Sequence, residues 1–159
     1  MRDFAEAGLG ILGAFLLYTL MGKISVSLLL IFNPFLLVVM YFALAKGEMF
    51  GAFTGTFCGL VQDSFSIGVF GVAGLSQTVL GYLTGFVSKK INVVPLSRNF
   101  VFLLIMATAE LLIWALLYTL IFAQRLNTGG ALLFLQPLLM ALCGSLFFYF
   151  KRKSKADKT

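Results

Sequence analysis

The chain has 159 residues, 60% of them hydrophobic and only 11% charged, and a mean hydropathy of +1.02. A soluble domain is about half apolar and a quarter charged, so this composition excludes a globule clothed for water and implies an integral membrane protein. The net charge of +6 does not point to nucleic acid, because the basic residues stand at the ends of apolar runs.

A bilayer core takes about 20 apolar residues per helix, whereas barrel strands are about ten residues long and alternate. The long unbroken runs predict an all-α chain, one domain of six transmembrane helices. The first span is residues 5–22, stopped by Lys23. Arg2, Asp3 and Glu6 stand at its start and no small-x-small exit follows, so it reads as a retained span and not a cleaved signal. The second is 25–45, stopped by Lys46, Gly47 and Glu48. Pro34 lies midway along it, and proline removes a backbone donor and disfavours helix at the residue before it. This predicts either a kinked helix or a short outer piece followed by a second helix.

The third and fourth spans are 49–65 and 69–88, the latter stopped by Lys89 and Lys90. A short polar connection with Pro95 and Arg98 leads to the fifth, 100–123, and the sixth is 130–150, with Pro137 as a second expected kink. Residues 151–159 form a basic tail suited to contact with anionic headgroups. Cys58 and Cys143 lie within apolar runs, where a free thiol behaves as a small hydrophobe.

Basic residues set the orientation. With the N-terminus inside, the cytoplasmic face holds Arg2, Lys46, Lys89, Lys90, Arg98, Lys151, Arg152, Lys153, Lys155 and Lys158, and the other face only Lys23 and Arg125. Both termini are therefore expected in the cytoplasm.

Within the third span, Gly51, Gly55, Gly59 and Asp63 recur at intervals of four. Each step advances 400° on a helix, so they wind as a stripe over about a third of the circumference. The fourth span repeats the spacing in Ala73, Gln77, Gly81 and Gly85. Small residues let helices approach closely, and such packing is the main adhesive between helices in lipid. A tight hairpin turning near 66–71 is expected. Asp63 is then either a surface residue shaping that turn through its side-chain oxygens or a carboxylate buried against another helix or a partner.

Glu110 falls near the bilayer midplane, where an acid costs about 2.5–3.5 kcal/mol on insertion scales. It must face polar groups from other spans, with Gln77 and Gln136 the candidates, or stay protonated. No second acid, histidine or lysine stands at that depth to continue a proton relay, which favours a packing or interaction role. The chain has no histidine, which removes most hydrolase triads and metal sites, and no phosphate-binding loop. No catalytic, cofactor or metal residues are assigned, and the chain reads as a non-enzymatic membrane component.

The run from Pro34 to Leu44, the segment GAFTGTFCGLVQD, then SFSIGVFG and GYLTG resemble the rod shape-determining protein MreD family. The family pattern of a glycine, an aspartate four positions on and a further glycine eight positions later corresponds to Gly59, Asp63 and Gly71. Glu110 and Pro137 also fit, whereas Phe35 departs from a position that is often polar. The close match covers residues 34–85, the rest agreeing in pattern.

The resemblance implies a scaffold subunit of the bacterial inner membrane, part of the elongasome that directs peptidoglycan synthesis and cell shape. It implies MreC as the direct partner, with RodA, its penicillin-binding protein and MreB reached through the complex. It implies no cofactor, and a fold similar to the substrate-binding subunits of energy-coupling-factor transporters. Gly51, Gly55, Gly59, Asp63, Gly71, Gly81, Gly85 and Glu110 are the expected packing or partner residues. A vitamin-binding subunit of such a transporter is the alternative, and Gly8, Gly10, Gly13 and Ala14 on the first span would suit its docking. A proton-coupled carrier using Glu110 is a third reading.

Overall fold

The computed structural model describes residues 2–65, 70–91, 96–122 and 131–156, and every regular element within them is an α-helix. In chain order these are α1 (Arg2–Ile24), α2 (Val26–Ile31), α3 (Pro34–Lys46), α4 (Glu48–Phe65), α5 (Val72–Lys90), α6 (Leu96–Phe122) and α7 (Ala131–Ala156). The expected turn residues 66–69, the connection 92–95 with Pro95, the segment 123–130 with Arg125, and residues 157–159 lie outside the described residues, as do the side chains of the basic tail.

Among the described residues, three stretches are long and apolar enough to cross a bilayer: Asp3–Ile24, Ser27–Lys46 and Ser97–Ile121. Leu135–Tyr149 is apolar but shorter. The hairpin α4–α5 is less apolar, because glycine, threonine and amide side chains displace aliphatic ones from its inner face.

Of the two outcomes expected for the second span, the structure shows the split. α2 ends at Ile31, and Phe32 and Asn33 are extended, with φ of −135° and −108°. Asn33 is the N-cap of α3: its Oδ1 accepts from the amides of Phe35 and Leu36 at 3.1 and 3.4 Å. Pro34 takes the first helical position, where a missing N–H costs nothing and a fixed φ suits the helix. Pro137 lies inside α7, whose helix runs on through it.

The α3 helix is central. Phe35, Leu36, Val39, Met40, Phe42 and Ala43 are all buried. Leu36 and Met40 share a core with Leu80 of α5, Leu103 and Ala107 of α6, and Met140 of α7. On another side Phe35 and Val39 pack with Ala14 and Cys58. Phe35, the departure noted above, is wholly buried, its ring 5.4 Å from that of Tyr18. α1 and α6 turn rows of leucines outward, among them Leu9, Leu16, Leu20, Leu112, Leu116 and Leu120.

Charged residues gather at one end of the bundle. Lys46 at the end of α3 pairs with Asp3 at the start of α1. Lys89 at the end of α5 donates to Glu48 at the start of α4, at 2.7 Å. These contacts bring together the α1 start, the α3–α4 junction and the α5 end.

Candidate functional site

The two glycine tracks face each other along the α4–α5 hairpin, and the contact is backbone against backbone. A Cβ on Gly51 would stand 2.5 Å from the Gly81 carbonyl oxygen, and one on Gly59 2.5 Å from that of Ala73. A Cβ on Gly55 would overlap the Gln77 carbonyl, and one on Gly85 the Glu48 backbone. No side chain fits at these four points unless the facing backbone shifts. The hydroxyls of Thr56 and Thr78 add a bond of 2.9 Å across the seam.

Asp63 closes the turn end of the hairpin. Its Oδ2 accepts from the amides of Gly71 and Gly74, both at 2.9 Å, and its Oδ1 from that of Ala73 at 3.2 Å. These donors are the unsatisfied first amides of α5, and a carboxylate there also meets the positive end of the helix dipole. Gly71 supplies the turn with φ of 104°, which a side chain would strain. Asp63 itself is 6% exposed.

A second polar chain crosses the same end. Gln62 Oε1 accepts from Asn33 Nδ2 at 2.9 Å and from Gln77 Nε2 at 2.7 Å. One carbonyl oxygen on α4 thus holds both the cap of α3 and a buried amide of α5. In membrane interiors such bonds matter because no water offers an alternative.

Glu110 is 4% exposed, on the α6 face turned to α5. The partners anticipated for it do not serve: Gln77 turns to Gln62, and no hydrogen bond joins Gln136 to Glu110. Its Oε1 accepts from the hydroxyl of Ser76 at 3.3 Å instead. Ser76 and Gln77 are adjacent, so about 100° of helical rotation sends one toward α6 and the other toward α4.

Sequence reasoning left the Asn33–Gln62–Gln77 chain and Ser76 out of the site. Asn33-Pro34 carried a readable signal, an N-cap residue before a proline at the first helical position. Ser76 carried none, because a serine in a membrane helix bonds its own backbone as readily, and this one also donates to the Ala73 carbonyl at 3.1 Å.

Asn33, Gln62, Asp63, Ser76 and Glu110 are engaged with one another or with helix ends, whereas Gln77 Oε1, Thr84 Oγ1 and Asn99 Oδ1 are buried without a hydrogen-bond partner; among the described residues no group of three His, Cys, Asp or Glu side chains could hold a metal ion. Apolar membrane-length helices around a glycine-seamed, carboxylate-capped hairpin define a class: a small helical membrane protein whose inner polar residues serve its own packing. The chain belongs to the MreD family, since the family model of rod shape-determining protein MreD matches residues 8–151. No curated protein and no solved structure matches it. Membership assigns the chain a role in determining rod shape and an association with the membrane.

Proposed function

We propose that the chain is a non-enzymatic, multi-pass subunit of the bacterial inner membrane that binds MreC directly. Through that contact it would help organise peptidoglycan synthesis by RodA and its penicillin-binding protein along the path set by MreB. The observation that carries this reading, beside the family match, is the use of Asp63. Its three amide acceptor contacts stiffen the hairpin and leave the acid no role toward a substrate. A rigid hairpin suits a protein that positions others.

The proposal includes six spans with both termini cytoplasmic. The Asp3–Lys46 and Glu48–Lys89 pairs support it, since they bring to one end four residues expected on one side of the membrane. It also includes the similarity to transporter substrate-binding subunits, through the fold alone.

Detergent co-purification of the tagged chain from its native membranes tests the function, with partners identified by mass spectrometry. MreC with the RodA synthase pair is the expected recovery. An ATPase pair with a coupling subunit would overturn the reading in favour of a transporter.

A further inference from the structure

Three amide side chains from three helices meet beside the break in the second span, and their hydrogen bonds do not balance. Asn33 is fixed first: its Oδ1 faces the Phe35 and Leu36 amides, which turns Nδ2 toward α4. That fixes Gln62, whose oxygen meets this donor at 2.9 Å. Gln77 is fixed in turn, since its nitrogen bonds the same oxygen at 2.7 Å. An amide holds its oxygen on the opposite side from its nitrogen, so Gln77 Oε1 is turned away from Gln62. There it is buried without a hydrogen-bond partner, on a residue that is 0% exposed. Rotating the amide end for end gives no relief, because two carbonyl oxygens would then face each other.

The backbone next to Asn33 carries a second shortage of donors. Phe32 and Asn33 are extended within the apolar stretch Ser27–Lys46. Ending α2 at Ile31 deprives its last carbonyls of helical donors. At membrane depth, non-helical backbone is tolerated where it is buried in protein or lines water. Asn33 is itself buried, so the break does not open on lipid.

We infer that a buried water molecule sits at this junction of α3, α4 and α5, donating to Gln77 Oε1 and accepting the second hydrogen of Asn33 Nδ2. That hydrogen has no acceptor among the described residues. Asn33 Nδ2 and Gln77 Nε2 share one acceptor oxygen, which brings the two amide groups within the span that a single water bridges. The water's remaining hydrogen is free for a carbonyl of the break. Buried waters make about three hydrogen bonds to otherwise unmatched groups, and the junction supplies them. A metal cation does not suit it: such an ion takes about six oxygens, and the Asn33 and Gln62 oxygens already accept from amide donors. The water closes Asn33, Gln62 and Gln77 into a ring and fastens the broken second span to the α4–α5 hairpin.

The test uses the full-length chain, labelled with nitrogen-15 and carbon-13, in lipid bilayers. Solid-state NMR then follows magnetisation passing from water into the protein. The Gln77 side-chain amide should receive it several-fold faster than the backbone amide of Leu80, which is equally buried. Loss of the signal in Gln77→Met assigns it, and carbon-13 correlations along the chain assign it if that variant does not accumulate. Transfer no faster than at Leu80 would overturn the inference. A density map sharp enough to show ordered water gives a second readout. Density within hydrogen-bond distance of both Gln77 Oε1 and Asn33 Nδ2 supports the inference. A side chain from the connections 66–69 or 123–130 in that place would overturn it, as would the absence of any density there. Neither readout involves a partner protein, so the result stands apart from the proposed function.

Discussion

The carboxylate of Asp63, near the end of one helix, accepts from the backbone amide of Gly74, in the first turn of the next, at 2.9 Å. With the Gly71 and Ala73 amides, this makes one side chain both the hinge pin of the turn and the cap of α5. Asp63→Ala should therefore lower stability by about 2–4 kcal/mol, since hydrogen bonds to a charged group contribute roughly 1.5–3 kcal/mol and do not add fully. Asp63→Asn keeps an acceptor oxygen and should lose about half as much. Unfolding in detergent, followed by helical circular dichroism, reads both. An alanine variant as stable as the parent would remove Asp63 from the hairpin's account.

Close approach makes a separate forecast. Gly55→Ala places a methyl group on the Gln77 carbonyl and should force α4 and α5 apart, at about 1–3 kcal/mol. Gly13→Ala, where nothing lies within 4 Å, should be neutral or slightly stabilising, because alanine is the better helix former. Thermal midpoints of the two variants in the same detergent give the comparison. Equal midpoints would mean that the seam yields more easily than its geometry indicates.

Asn33 separates capping from cross-linking. Asn33→Asp keeps the acceptor for the Phe35 and Leu36 amides but loses the donor to Gln62, whereas Asn33→Ala loses both. The alanine variant should be less stable than the aspartate variant by about 1 kcal/mol, the usual worth of an N-cap. Hydrogen exchange at the start of α3 should rise in the alanine variant alone.

Glu110 can be tested for chemistry as well as packing. Glu110→Gln keeps the volume and an acceptor for Ser76, so rod-shape complementation in a deletion strain should survive. Ser76→Ala should cost about 1 kcal/mol by removing the bond to Glu110. Loss of complementation in a well-folded glutamine variant would instead require an ionisable group there and revive the carrier reading.

At the charged end, the Lys89 ammonium bonded to Glu48 holds that carboxyl below its ordinary range. A carboxyl lowered in the folded state adds stability above its unfolded pKa of about 4.3, and the contribution is lost as pH falls through the folded value. Glu48→Gln should flatten that acid limb in a melting series below about pH 5. The difference will be small, because the Lys89 side chain is 59% exposed and solvent screens the pair. Parallel acid limbs in the two proteins would show that the pair contributes nothing.

The sequence by itself determined the helical class and the facing of the two glycine tracks, and narrowed Asn33-Pro34 to a kink or a break. Each of these is local: apolar run length, the backbone limits of proline and a four-residue spacing act within one helix or between chain neighbours. Asp63 was legible in position but open in role, because its donors lie eight to eleven residues ahead, past a turn whose shape the sequence does not specify. The tertiary structure alone decided that Ser76 meets Glu110 across 34 positions, while its neighbour Gln77 meets Gln62. Those pairings depend on how each helix is rotated about its axis against the others, and in lipid that rotation is chosen by close packing and polar satisfaction summed over the whole bundle.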